Sequence, residues 1–116
     1  MIKILIIGGG MYVAGKGTNS KGTIMPALLE ARRHKLVSKL GIVTTSIDSA
    51  NENRKRVNDL AQQMGVDLQC EYFPKSGQNK YAYLEAVEQF KPDAVIVSVP
   101  DHLHASVSIP LIQKGI

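Results

Sequence analysis

Near the start of the chain the run Ile2-Lys3-Ile4-Leu5-Ile6-Ile7 leads directly into three glycines, Gly8-Gly9-Gly10. A nearly continuous run of β-branched residues and leucine suits a strand buried on both faces, and such strands belong to parallel sheets covered by helices. A second run of this kind, Ala94–Val99, lies near the other end. Between the two, apolar residues take helical spacing: Ile24, Ala27, Leu28 and Ala31 fall at i, i+3, i+4 and i+7. Continuous apolar strands alternating with amphipathic helices predict an α/β fold, a Rossmann-like doubly wound parallel sheet.

The remaining elements follow from the same signals. Pro26 is tolerated only in a first turn, so the first long helix should begin near Thr23–Met25. A second strand is expected within Leu36–Ser46, with Gly41 marking a bulge or a late start. Val57, Leu60, Ala61 and Met64 give the next helical stripe, entered through Asp48 or Ser49 and closed by Gly65. Leu68–Phe73 reads as a weaker third strand ended by Pro74, followed by a helix carrying Tyr83, Leu84, Val87 and Phe90. The last helix should run from about His104 to Lys114 and stop at Gly115. The predicted order is βαβαβαβα, four strands with the second half of the sheet incomplete, in one domain spanning residues 1–116.

Composition narrows the function classes. With Cys70 as the only cysteine, no intrachain disulfide can form, which fits a reducing cytoplasm. The apolar start is too short for a secretory signal, and no stretch approaches the ~20 residues that span a bilayer. Residues 1–56 carry ten Lys or Arg against three Asp or Glu, a net of +7, whereas residues 57–116 carry four against seven, a net of −3. A positive N-terminal half suits an anionic ligand. Nucleic acid is not the expected partner, because no recognised binding motif accompanies the charge. Arg32, Arg33 and Lys35 read as a solvated helix face.

The glycine-rich stretch Gly8–Gly22 joins the first strand to the first helix, where doubly wound folds bind phosphate. Gly8 and Gly10 begin the pattern G-x-G-x-x-G, but its last position is Val13. Gly15, Lys16, Gly17, Thr18 and Gly22 follow and, with Met11, are candidate contacts to a diphosphate. Gly10-x4-Gly15-Lys16 also matches the first seven positions of a P-loop, although Gly17 stands where the magnesium-binding hydroxyl belongs. At the end of the second strand Thr45 and Ser46, with Arg54 beyond, suit a ribose 2′-phosphate, while Asp48 suits a free 2′-hydroxyl. The balance leans slightly to NADP over NAD. Past the fourth strand, Val99, Pro100, Asp101 and His104 should line the nicotinamide side of the crevice, unless Asp101 merely caps the last helix and His104 packs on it. His102-x-His104 offers two metal ligands where zinc needs three or four, so no metal site is expected.

Ile4–Gly10, Pro26-Ala27-Leu28 and above all Val95-Ile-Val-Ser-Val-Pro-Asp-His-Leu-His104 resemble the N-terminal domain of the Gfo/Idh/MocA oxidoreductases, the relatives of glucose–fructose oxidoreductase and inositol dehydrogenase. The likeness covers the chain in element order and is weakest between Cys70 and Lys91. The family typically shows Thr-Pro-Asn-x-x-His after the fourth strand; here Asp101 replaces the Asn, and the glycine loop is longer than usual by about eight residues. The resemblance implies that Gly8, Gly10 and the loop to Gly22 hold a pyrophosphate, and that Pro100, Asp101 and His104 face the nicotinamide. It implies hydride transfer between NAD(P) and a sugar, polyol or related hydroxyl compound. The family's Glu-Lys-Pro motif and its substrate-binding second domain would follow residue 116, so the chain is expected to bind cofactor and not to complete the reaction. The apolar Ala94–Val99 strand would then expose an unprotected edge, predicted to pair with another copy or with the C-terminal domain of the same protein. The competing readings are a nucleotide-binding regulator or redox sensor without catalysis, and a P-loop phosphate binder.

Overall fold

The computed structural model describes residues 1–116 and contains one four-stranded sheet, all parallel, in the order β3-β2-β1-β4. The strands are β1 (Ile2–Ile7), β2 (Val37–Val43), β3 (Cys70–Phe73) and β4 (Ala94–Val97). The helices are α1 (Met11–Ala14), α2 (Ile24–Arg33), α3 (Ile47–Met64), α4 (Ala82–Phe90) and α5 (His104–Gln113), with a 3-10 turn over Asp101–Leu103 before the last. This is the expected Rossmann-like α/β fold. None of these helices is long and apolar enough to cross a membrane.

The central strand carries the sheet. Ile4, Leu5, Ile6 and Ile7 are all buried, and alternate residues serve opposite faces. Ile4 and Ile6 join Leu40 and Ile42 under α2 and α3; Leu5, Ile7 and Val43 join Phe73 under α4 and α5. Gly41 is not a bulge: it pairs in register with Leu5 and Glu71. A Cβ there would lie 2.9 Å from Leu5 Cδ1 and 3.1 Å from Phe90 Cε1, so the missing side chain makes room for the Phe90 ring over the sheet.

Both ends of the sheet bear on expectations from sequence. The apolar run Ala94–Val99 leaves the exposed edge expected of it: each residue of the strand Ala94–Val97 is only half-buried, because β4 pairs with β1 alone. Its apolar character therefore faces partly into solvent, and α5 above it exposes Ile109 and Ile112. Of the basic group Arg32, Arg33 and Lys35, the last two are exposed as expected, but Arg32 is half-buried. Arg32 Nη1 donates to the carbonyls of Val37 and Ser38, and its Nε donates to Asp67 O at 2.9 Å, which ties the end of α2 to the entries of β2 and β3. That end of the molecule is opposite the glycine turn.

The largest departure from expectation lies inside the glycine-rich stretch. One helical turn, α1, forms directly after Gly10 and is stopped by Gly15 in the left-handed conformation at φ +79. The chain then makes an excursion and resumes at α2. Thr23 N–H donates to Tyr12 O at 2.8 Å, the bond residue 16 would make in an unbroken helix, so the excursion inserts about seven residues.

Candidate functional site

In this strand order the chain runs outward from β1 to β3 and then returns to the other side of β1 with β4. The reversal lies between β1 and β4, and ligands of open α/β sheets bind at such a point, beyond the carboxyl ends of the strands. The turn Gly8–Met11 follows β1 and the segment Ser98–Asp101 follows β4, so the two flank the reversal.

Each of the three glycines has a different reason to be glycine. Gly8 has φ +112, and a Cβ on it would sit 1.8 Å from Ser98 O. Its absence lets the two strand ends meet, while Gly8 N–H donates to Val43 O at 2.8 Å. Gly9 is pressed against the other side: a Cβ would lie 2.4 Å from Asn53 Nδ2 and 2.5 Å from Thr44 Cγ2. Gly10 has an ordinary φ of −76, and a Cβ on it would meet nothing within 4 Å. Only Gly10 faces open space.

The N–H groups of Gly9, Gly10, Met11 and Tyr12 donate to no acceptor in the chain, and they are consecutive in the turn. Successive free N–H groups at a turn leading into a helix form an anion-binding concavity. Met11 itself is half-exposed beside them.

On the β4 side, Val99 is half-buried while Pro100, Asp101 and His104 are exposed. His104 opens α5 and turns its ring back on the strand, with Nε2 2.9 Å from Val99 O, so it does not pack down on the helix. Asp101 does not cap α5: the cap residue is Leu103, and no side chain accepts a bond from the helix N-terminus. No group of three His, Cys, Asp or Glu side chains surrounds His102 and His104.

The candidates between Gly15 and Gly22 fall elsewhere. A Cβ on Gly15 would lie 1.7 Å from Ser20 O, and one on Gly22 would lie 2.7 Å from the Val13 carbonyl. These glycines, both at positive φ, close the neck of the excursion. Thr18 Oγ1 is spent inside it, donating to Gly15 O at 2.8 Å and accepting from Ser20 N–H at 2.9 Å. Gly17 sits in the open with φ +78. Arg56 Nη2 donates to Thr18 O at 3.1 Å, fastening the loop to α3. This is not P-loop geometry: a helix already occupies Met11–Ala14, and Lys16 follows that helix instead of opening one. Lys16 Nζ reaches across to Ser49 Oγ at 2.7 Å.

At the end of β2, Thr45 is exposed and its carbonyl accepts from Asn79 N–H, while Ser46 caps α3 by accepting from Ser49 N–H at 3.2 Å. Arg54 is not beside them. Its guanidinium stacks 4.7 Å from the centre of the Tyr72 ring on β3. One cleft lies between the excursion and α3, lined by Arg56 and Asp59, and another between Pro74 and α4; neither of these two includes the glycine turn.

Asn53 and Ser49 were not among the sequence candidates. Asn53 is fully buried, and its Nδ2 donates to Gly9 O at 3.2 Å and to Ser49 O at 3.0 Å, linking the glycine turn to the first turn of α3. Its Oδ1 has no partner. The signal was legible: residue 53 is i+3 from Ala50 and i−4 from Val57, a polar residue on an apolar stripe. No family model, curated protein or solved structure matches the chain.

Proposed function

We propose that this chain is the dinucleotide-binding domain of an NAD(P)-dependent oxidoreductase of the kind it resembles in sequence, the Gfo/Idh/MocA enzymes. The observation that carries the reading is the run of four free N–H groups from Gly9 to Tyr12 at the β1–β4 reversal, with open space at Gly10. A diphosphate supplies the acceptors those donors lack, and Gly10 is where a backbone approach needs no side chain. The residues present therefore fit the group. Met11 would flank the diphosphate, and Val99, Pro100, Asp101 and His104 would border the nicotinamide ribose across the crevice.

When bound, such a cofactor accepts or delivers a hydride at its nicotinamide ring; the chain's own contribution is to bind and orient it. The substrate class, a sugar, polyol or related hydroxyl compound, rests on the resemblance alone. So does the placement of the proton-transferring residues and the substrate site in a second domain. On this reading the half-exposed β4 edge is covered by that domain or by another copy. The P-loop alternative lacks its helix-opening lysine, and no observation favours the regulator over the oxidoreductase.

Titration of the 116-residue chain with NADH and NADPH, followed by nicotinamide fluorescence or calorimetry, tests the proposal. Saturable 1:1 binding is expected, and magnesium-ATP should not compete at equal concentration. Gly10→Val should lower affinity at least about tenfold, since an added side chain occupies the space the diphosphate needs. Absence of binding by both nucleotides would end this reading.

A further inference from the structure

The 2′ position of the adenosine ribose is read at the end of the second strand, where a carboxylate selects the hydroxyl and a cation accommodates the phosphate. The cation expected there from sequence, Arg54, lies instead over Tyr72. Lys16 takes the place. It comes from the inserted loop 33 residues earlier in the chain than Ser49, and its ammonium sits 2.7 Å from Ser49 Oγ, in the first turn of α3.

Three features make this more than the positive end of a helix. First, the N–H groups that begin α3 are mostly in use: Ile47 donates to Gly77 O, Ser49 to Ser46 Oγ and Ala50 to Ser46 O, leaving only Asp48 without an acceptor. The attraction for an anion must come from the lysine. Second, the lysine is held but not neutralised by a close pair. Its nearest carboxylate oxygen, on Glu52, is 3.9 Å away, and Glu52 is shared with Arg56, also at 3.9 Å. An ammonium has three donors, and only one is committed, to Ser49. Third, the pair is connected to the diphosphate turn. Buried Asn53 bonds both Ser49 O and Gly9 O, so Lys16 and Ser49 stand beside the glycine shelf along the end of β2. The loop that delivers Lys16 is pinned by Gly15, Gly22 and the Arg56–Thr18 bond.

We propose that the excursion after α1 is a cofactor-selecting clamp, in which Lys16, seated on Ser49, binds the 2′-phosphate of NADP and makes the chain prefer NADP(H) to NAD(H). This rests on the dinucleotide reading above. Asp48 is the counterweight: its exposed carboxylate stands in the same helical turn and makes no hydrogen bond, and it is the group that would take a free 2′-hydroxyl.

The test compares NADPH and NADH affinities for the wild-type chain and for Lys16→Ala, Lys16→Arg and Arg54→Ala. Wild type should bind NADPH more tightly. Lys16→Ala should weaken NADPH about tenfold, the scale of one charge-assisted hydrogen bond, and change NADH less than about twofold. Lys16→Arg should retain the preference in part, and Arg54→Ala should alter neither affinity. Equal losses for both nucleotides would place Lys16 on the diphosphate and overturn the clamp, as would unchanged NADPH affinity in Lys16→Ala or a wild-type preference for NADH. Failure of the wild-type chain to bind either nucleotide would instead remove the dinucleotide reading on which the clamp depends. Unchanged thermal unfolding of Lys16→Ala would exclude loss of fold as the cause.

Discussion

Gly8–Gly10 and Gly15–Gly22 look alike in sequence, and the structure puts them to different uses. The first group sits where two strands separate, and its members are glycine because of backbone overlap at Gly8, side-chain overlap at Gly9 and open space at Gly10. The second group closes a loop on itself and on α3, and two of its glycines are enforced by overlap with their own loop or with α1. A glycine-rich stretch is therefore not one phosphate cradle. On the dinucleotide reading proposed above, the glycine a ligand would need is Gly10, whose place no overlap requires.

Substitutions can break that contrast. The largest effect is expected at Gly8→Ala, which combines a left-handed φ with a Cβ 1.8 Å from Ser98 O. The two penalties together cost about 3 kcal/mol or more. A urea midpoint equal to wild type would mean that the ends of β1 and β4 are not in contact. Gly22→Ala should cost about 2 kcal/mol, from strain at φ +77 and overlap with the Val13 carbonyl. Because the overlap is within the neck of the loop, limited proteolysis should then cut between residues 15 and 22, with α3 still protected. Gly17→Ala has the strain without the overlap and should lose only about 1 kcal/mol, read from the same midpoint. Gly10→Ala completes the series: an unfolding free energy within about 0.5 kcal/mol of wild type, alongside weakened dinucleotide binding.

The β3 edge offers a contrast of the same kind between packed and open groups. Burial pushes the Cys70 thiol up to about 12. Burial likewise raises the Tyr72 hydroxyl, and the neighbouring Cys70 thiol on the same strand adds to the shift. A folded-state pKa above the unfolded value means that the native chain holds the proton longer. The stability this contributes is complete below the ordinary thiol range and is lost as pH rises from about 9 toward 12. Between pH 8 and pH 10.5 wild type should lose on the order of 1 kcal/mol more than Cys70→Ala, as measured by urea unfolding. The thiol should also react slowly with a disulfide reagent at pH 8. Rapid labelling there would show that Cys70 is open to solvent.

Much of the fold was legible because it depends on local patterns. The apolar run Ile2–Ile7 became the buried central strand, the stripe Ile24–Ala31 became α2, and Gly65 and Gly115 ended helices in the left-handed conformation, as expected. Ser46 caps α3 two residues before Asp48 and three before Ser49, the expected entries to the helix. The shortfalls share a cause. Gly41 reads as a bulge or a late start because nothing local shows Phe90 above it, and Arg54 reads as a neighbour of Thr45 and Ser46 because nothing local shows the Tyr72 ring beneath it. Asp101 precedes the last helix in sequence, but the intervening 3-10 turn removes it from the cap.

The order of strands and helices, the parallel sheet and the position of a glycine turn after β1 were determined by the sequence, since spacing of apolar residues and backbone freedom act over a few residues. Tertiary structure alone decided which N–H groups stayed free, which glycine faced open space, and that Lys16 rather than Arg54 came to the end of β2. Those outcomes depend on segments tens of residues apart meeting in space. Packing fixes such meetings, and residue type at one position does not.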